Sequence, residues 1–359
     1  MTLAAFPADS RLASRGATGR VLVQPGRNAF PDMVGFIAEK FGFDLLQLSD
    51  YEIHRALSKG AHLRGLIRQS IELIFSLRRL RRCRVVIAIG PISYLIKLLH
   101  CLRLVRYETS FCLGWHIRSP RWFPLFRALS RLDGDGDHYI VFSEFEIGLY
   151  EANLGIARKR MHFLPYGDWS AESAEDAPET PHGTTTGDYY FAGGYSNRDY
   201  PALIAAWRDI PARLVIVCSA LNKEIVDSEL PANITVLRDL PSAAFEAHVQ
   251  GARACIIPLK HDAGASGQSV MLRLMRNKKA IVATDFGSVR GYVVNGESGF
   301  LVADMAHDLP AIVAQLERNP DAARALGRAA YRRYAQLFSM AAGGEALGRI
   351  LEPSLMACD

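Results

Sequence analysis

This chain has little with which to cross a membrane, cross-link itself or grip a metal. No uncharged run within its 359 residues reaches the roughly 18 apolar positions that a spanning helix needs. The first residues, MTLAAFPADSRLASRGATGR, lack a continuous apolar core, so they do not read as a secretory signal. The six cysteines (Cys83, Cys101, Cys112, Cys218, Cys255, Cys358) form no C-x-x-C pair and no Cys/His zinc spacing. Cys218 and Cys255 sit in apolar strand-like runs, where a thiol acts as a small hydrophobe. No basic motif interleaved with aromatics and no helix-turn-helix pattern appears, so nucleic acid is not an expected partner. These absences lead to the expectation of a cytoplasmic protein in a reducing compartment, with only peripheral membrane contact.

What is present is a globular composition. Hydrophobic residues make up 49%, and 359 residues favour two domains. The formal net charge is +5 and the pI about 8.9, an excess that suits an anionic partner. Residues 1–18 read as a flexible tail. Then strands are expected at Arg20–Gln24, Asp44–Leu48, Val85–Ile89, Leu104–Thr109 and Tyr139–Ser143. Helices are expected at Asp32–Phe41, His62–Arg82, onward from Gly90-Pro91 through Leu102, and at Glu144–Leu154. After Trp169 the segment SAESAEDAPETPHGTTTGD is rich in Ser, Thr, Pro and acids, and reads as a linker over 170–187. The alternation then restarts. Strands are expected at Tyr189–Ala192, Leu214–Cys218, Ile234–Leu237, Ala254–Pro258 and Ala280–Thr284, with helices around Tyr200–Trp207, Ala243–Gly251 and Ser269–Arg276. Alternating strands and helices predict parallel sheets covered on both faces. The expected fold is therefore α/β, with two doubly wound Rossmann-like domains over 19–169 and 188–340. A ligand cleft is expected between them, and a C-terminal helix over 341–359 packing back on the first domain.

The segment Ala254–Val302 is the most informative. A buried-strand run leads into the small-residue loop Ala263-Gly264-Ala265-Ser266-Gly267-Gln268-Ser269, and the loop opens an apolar helix with Val270, Met271, Leu274 and Met275. Free N–H groups at such a helix start, with the positive end of the helix dipole, favour a bound phosphate. A second strand, Ala280-Ile281-Val282-Ala283-Thr284-Asp285, and the turn Asn295-Gly296-Glu297-Ser298-Gly299-Phe300-Leu301-Val302 follow. This order resembles the nucleotide-binding half of GT-B glycosyltransferases, particularly those similar to glycosyltransferase family 4. There a loop, an E-A-M-A-x-G-like helix, a P-V-V-A-T-D-like strand and a D-G-x-x-G-x-L-V turn succeed one another. YIVFSEFEIGLYEANLGIARKRMHFLPYGDW looks like the family's last N-domain strand, helix and crossover. YFAGGYSNRDYPALIAAW is similar to its opening C-domain loop, F-x-G-R-x-x-x-K-G. The resemblance spans most of the chain and is strong only after about Tyr139; the N-terminal third carries no specific family motif.

The resemblance implies a metal-independent transferase that needs no cofactor and takes a nucleotide-sugar donor linked to UDP or GDP. Cations and helix N-termini would then stabilise the departing diphosphate. Donor contacts are expected from the backbone and side chains of Ser266, Gly267, Gln268 and Ser269. Arg198 stands at the family's lysine position after Gly194 and Asn197, and Lys260 follows a strand end. Both are expected to supply positive charge. The family's two glutamates, E-x7-E, fall on Ala265 and Arg273. Both acids are missing, and an arginine side chain cannot accept a ribose hydroxyl's hydrogen bond. Arg273 is read as a phosphate ligand or a helix-surface charge, and Asp262 as a substitute acid near the sugar. In the N-domain, His116 is read as orienting donor or acceptor, and Asp32 or the Pro25–Asn28 turn as meeting the acceptor.

The stretch His62–Arg84 is separately informative. Projected on a helix, Leu63, Leu66, Ile67, Ile71, Ile74 and Leu77 share one face, while Arg64, Arg68, Arg79 and Arg82 lie on another beside Phe75. Basic amphipathic helices rest on anionic bilayers. Leu95–Arg106 continues the basic character with Lys97, Arg103 and Arg106. The expected activity is transfer of a sugar to a hydroxyl of a lipid-linked glycan or oligosaccharide acceptor, as in bacterial polysaccharide assembly. It is expected with retention of configuration, at the inner face of the cytoplasmic membrane. The rival reading is a non-catalytic GT-B relative that binds a nucleotide sugar or a partner protein.

Overall fold

A computed structural model describes residues 19–26, 30–49, 59–81, 83–114, 120–169, 188–227, 230–260 and 266–356. His116, Asp262, Arg82, Ala265, residues 27–28 of the first turn and the linker 170–187 lie outside the described residues.

The elements run β1 (Arg20–Gln24), α1 (Pro31–Phe41), β2 (Asp44–Gln47), α2 (Lys59–Phe75), α3 (Leu77–Leu80), β3 (Val85–Ile89), α4 (Ile92–Cys101), β4 (Thr109–Leu113), α5 (Phe123–Leu129), β5 (Asp137–Val141), α6 (Glu144–Leu154) and β6 (Met161–Phe163). They continue β7 (Tyr189–Gly193), α7 (Tyr200–Trp207), β8 (Arg213–Cys218), β9 (Ile234–Arg238), α8 (Ser242–Gly251), β10 (Ala254–Ile257), α9 (Gln268–Arg276), β11 (Ala280–Thr284), β12 (Phe300–Val302), α10 (Met305–Arg318), α11 (Pro320–Leu337) and α12 (Met340–Met356). Two six-stranded sheets result, in the orders β2-β1-β3-β4-β5-β6 and β12-β11-β10-β7-β8-β9. The pairs β1–β2, β1–β3 and β3–β4 in the first, and β7–β8, β8–β9, β10–β7, β10–β11 and β11–β12 in the second, are parallel. Each is a doubly wound, Rossmann-like layer. By compactness the chain divides into Met1–Leu113 with Leu132–Tyr139 and Pro353–Asp359, and Gly114–Arg131 with Ile140–Glu352.

Parallel strands covered on both faces must be apolar throughout, and β3, β10 and β11 are buried at every position. In the second sheet the pleat sends Ala254 and Ile256 to one face, with Leu203 of α7 and Leu309 of α10. It sends Cys255 and Ile257 to the other, with Met271 and Met275 of α9 and Tyr334 of α11. In the first sheet Val21, Val23, Val86 and Ala88 form a core with Leu73 of α2, Leu80 of α3 and Ile96 and Leu99 of α4. Helices α2, α3 and α4 therefore form one layer on one face of that sheet.

Two local expectations are corrected. The strand expected at Leu104–Thr109 begins only at Thr109, where β4 pairs Val85↔Thr109. Before it the chain turns through Arg103 in the left-handed region (φ 61°), which ends α4, and Val105 is buried in the core. The helix expected over His62–Arg82 is broken at Ser76. The Ser76 N–H is shared between the carbonyls of Glu72 and Leu73, and Arg79 N then donates to Ser76 O. The short helix that follows swings Leu80 into the core.

Lys97, expected on a basic surface, is instead 1% exposed. Its Nζ donates to Asp133 Oδ1 (2.7 Å) and Tyr139 OH (2.9 Å), and it lies 4.1 Å from the Tyr139 ring centroid. Tyr139 OH also donates to Asp133 Oδ2 at 2.8 Å. Nearby, Asp137 accepts from Ser110 Oγ, Tyr107 OH (2.9 Å) and Gly134 N (2.7 Å). Burial pushes the Asp133 carboxyl above its ordinary value, and the Lys97 ammonium pulls it back.

Candidate active site

Three loops at the carboxyl ends of β7, β10 and β11 converge in the second sheet. The β7 loop is built on glycine for two separate reasons. At Gly193 a Cβ would sit 2.6 Å from the Phe245 ring. Gly194 has φ +111°, and a Cβ there would meet Arg198 Nη2 at 2.5 Å. The chain turns back through Asn197 at φ 56°, a left-handed position that asparagine tolerates.

Arg198 is 3% exposed. Its Nε donates to Gly193 O (3.0 Å) and its Nη1 to Ser196 O (2.7 Å). Burial acts to lower its pKa. Expected as a cation for the diphosphate, this guanidinium also holds the loop's own carbonyls. The loop is also strapped to the end of β10. Arg198 bridges Leu259 in antiparallel fashion, Asp199 N donates to Pro258 O (3.0 Å), and Lys260 N donates to Asn197 O (3.3 Å). Asp199 then caps α7 by accepting from Ala202 N. Lys260 is exposed beside this strap and stays a candidate phosphate cation.

Gly267 has φ +94° and precedes α9, whose first turn has no side-chain cap. A Cβ there would meet only ordinary contacts of 3.5 Å, so the backbone conformation, not space, demands glycine. The N–H groups of Gln268 and Ser269, with no side-chain cap, are the candidate donors at this helix start. Ser269 is exposed and Gln268 is 7% exposed. Ser266 is pinned on both sides: its Oγ accepts from Asn197 Nδ2 (2.8 Å) and its carbonyl accepts from Ser288 Oγ (3.1 Å). Thr284 Oγ1 accepts from Leu259 N (2.9 Å). Ser288 and Thr284 were not singled out from sequence. Ser288 follows Asp285-Phe286-Gly287, and that turn was the only available signal.

Among the described residues, three buried side-chain polar atoms lack a hydrogen-bond partner: His100 Nδ1, Asn197 Oδ1 and Gln268 Nε2. Two of the three sit on these adjoining loops, one an acceptor and one a donor. Buried polar atoms are paired almost everywhere in folded proteins, so two open valences on adjoining segments make this a candidate ligand site.

Arg273 lies one turn further along α9, half-buried. Its Nη2 donates to Ser242 Oγ (3.2 Å) and its guanidinium lies 5.5 Å from the Phe245 ring centroid. It faces the start of α8 rather than bulk solvent. Arg276, not singled out from sequence, is paired with Asp168 (2.9 Å) and Glu246 (3.3 Å), and Tyr334 OH also donates to Asp168. The turn Asn295–Gly299 proves to be packing. Asn295 Oδ1 accepts from Leu301 N, and a Cβ on Gly299 would meet Ile281 O at 2.7 Å. In the first sheet Asp32 lies exposed in the first turn of α1, where an acid favours the helix dipole.

Residues 189–319 match the family described as "Glycosyl transferases group 1". No curated protein matches the chain in sequence. Among solved structures, sucrose-phosphate synthase from Thermosynechococcus elongatus is similar with a TM-score of 0.69 at 15% identity, over 94% of this chain and 99% of that one. A glycosyltransferase from Rickettsia africae gives 0.64 at 11%, over 94% and 99%. HepE from Anabaena, solved in complex with UDP and glucose, gives 0.62 at 12%, over 93% and 99%. At these identities the likeness is one of fold. Two Rossmann-like sheets of this kind define the GT-B architecture. The chain has that fold, and its residues 189–319 are similar to the group 1 glycosyltransferase domain.

Proposed function

We propose that this chain moves a sugar from a nucleoside-diphosphate sugar to an acceptor hydroxyl, holding the donor on the β7, β10 and β11 loops. The observation that carries this is the pair of open valences, Asn197 Oδ1 and Gln268 Nε2, beside the uncapped start of α9. The diphosphate would rest on the N–H groups of Gln268 and Ser269, with the exposed Lys260 as the cation and no metal ion required. As the glycosidic bond breaks, these donors meet the charge that develops on the leaving phosphate oxygen. Arg198 positions the loop that carries Asn197. Arg273 replaces the acid expected near the ribose, and it presents a donor where that acid would accept. The HepE structures contain UDP, glucose or UDP-glucose, which makes a uridine donor the first to try.

The acceptor in this reading is a lipid-linked glycan or oligosaccharide, glycosylated during polysaccharide assembly at the cytoplasmic face of the inner membrane, with retention at the anomeric carbon. The described helices include none long and apolar enough to cross a bilayer. Contact with the membrane would therefore be by surface docking.

Thermal unfolding with UDP, GDP, UDP-sugars and GDP-sugars tests the donor site. A ligand at 100 times its Kd raises stability by about 2.7 kcal/mol. A clear rise with one nucleotide series is expected. No rise with any of them would remove the donor site from these loops.

A further inference from the structure

We propose that the outer surface of the α2–α4 layer is a docking face for an anionic lipid bilayer. This rests on the reading of a membrane-borne acceptor and names the surface that delivers the enzyme to it.

Helix α2 is apolar on two opposite sides. One side packs into the core through Leu73, with Leu66 half-buried and Gln69 donating to Ser49 O. The other carries Ile67, Ile71, Ile74 and Phe75, at i, i+4, i+7 and i+8, which is a single helical face. These are 51%, 48%, 48% and 84% exposed. The face expected from sequence mixed both sets, and the structure separates them. Helix α4 lies in the same layer, because its Ile96 and Leu99 enter the same core as Leu73. It too turns apolar groups outward, with Leu98 42% and Leu102 60% exposed. Exposed large apolar residues scattered singly are ordinary, but a periodic set on one layer needs a cover.

Charge decides what covers it. Between Lys59 and Arg81 the sequence holds six Lys and Arg residues against one acid, Glu72. Arg64, Arg68, Arg78, Arg79 and Arg81 are all exposed, and Arg103 adds another beyond α4. The lone acid is already engaged, since Glu72 accepts from Ser49 N (2.7 Å) and from Arg68 Nε (3.1 Å). A second copy of the chain seated here in a two-fold arrangement would oppose arginine to arginine. An anionic bilayer meets both features, taking the apolar residues into its acyl boundary and the arginines at its phosphates. Beside the ridge opens a cavity of about 730 Å³, lined among others by Arg68, Phe75, Ser49 and Ser76. It shares Arg68 and Phe75 with the docking face but is also lined by Glu72, so the phosphates are met on the outer face rather than in this cavity.

The test uses the full chain with phosphatidylcholine vesicles containing or lacking 30% phosphatidylglycerol. Co-sedimentation is expected only with the anionic vesicles, falling at least tenfold in 0.5 M salt. The variant Phe75→Trp should show a blue-shifted emission component, absent from the parent, that is quenched by brominated lipids. The double variant Ile71→Ser/Phe75→Ser and the set Arg64→Gln/Arg68→Gln/Arg78→Gln/Arg79→Gln should each lose vesicle binding. All these positions are exposed, so melting temperatures near the parent's are expected. Sedimentation without any Phe75→Trp response would mean another surface docks, and overturns the proposal. Failure to sediment does the same. So does a concentration-dependent dimer, or a stable complex with an acidic protein, that the Ile71/Phe75 variant abolishes. None of these readouts involves nucleotide, so vesicle binding with no thermal response to UDP or GDP would sink the donor reading and leave this one standing.

Discussion

The two sheets bury polar groups in opposite ways. In the first, Lys97, Asp133, Tyr139, Asp137, Ser110 and Tyr107 form a closed set in which each polar group meets a partner. In the second, Asn197 and Gln268 are buried with one polar atom each left over. A closed network has nothing to offer a ligand, and removing a member should harm the fold. An open one costs the empty protein something, and removing a member should harm binding instead. The contrast is one of pairing rather than of burial, and the first half has its own exception in His100 Nδ1, which is unpaired with no candidate site beside it.

The sharpest way to break this contrast is Lys97→Met. It strands the Asp133 carboxylate in the first sheet and should cost about 3–5 kcal/mol, read by denaturant unfolding. The loss should depend on pH in a defined direction. Asp133 already has its folded pKa raised above the unfolded value, and without Lys97 it rises further. Stability in the variant is therefore highest below the unfolded carboxyl pKa near 4, and falls as pH increases through the raised folded value. A variant equally unstable at all pH values would show that Asp133 is not the stranded group.

Next in size is Gly194→Val. The left-handed backbone and the close approach of Arg198 predict a loss of about 3 kcal/mol together with nucleotide binding. Gly291→Ala, where a Cβ meets nothing, is the control.

Gln268→Leu separates site from architecture most cleanly. Nucleotide affinity should fall about tenfold, or about 1.4 kcal/mol. The melting temperature of the empty protein should hold or rise, because an unpaired buried polar atom is gone. A fall in both would class Gln268 with Lys97. Smallest is Ser269→Ala, an exposed side chain at a helix start, with an expected loss in affinity of about threefold, under 1 kcal/mol.

The second sheet was more legible in the sequence than the first, for physical reasons. Strands β10 and β11 are covered on both faces and announce themselves as unbroken apolar runs, and the small-residue loop between them has few other uses. The turn Asn295–Gly299 was just as recognisable, yet its residues pack β12 on β11. Arg198 shows where sequence reasoning stops. Its place in the loop after β7 is legible, but whether a guanidinium faces a phosphate or its own loop depends on which carbonyls lie within reach. In the first half, the strand misplaced to Leu104–Thr109 reflects a left-handed Arg103 that composition does not reveal. The mixed face assigned to α2 reflects a helix with two apolar sides, which a single projection merges. His116, read as orienting donor or acceptor, and Asp262, read as an acid near the sugar, fall outside the described residues.

The strap between residues 197–199 and 258–260 also bears on how such a protein can be altered. Surface loops in α/β enzymes are usually exchangeable one at a time. Here the loop after β7 and the loop after β10 share main-chain hydrogen bonds, and Asn197 reaches across to Ser266. Grafting either loop alone from a relative with a different donor would leave the other with unmatched backbone partners. With the donor held on these loops as proposed, a change of donor preference is expected to need a paired exchange of both.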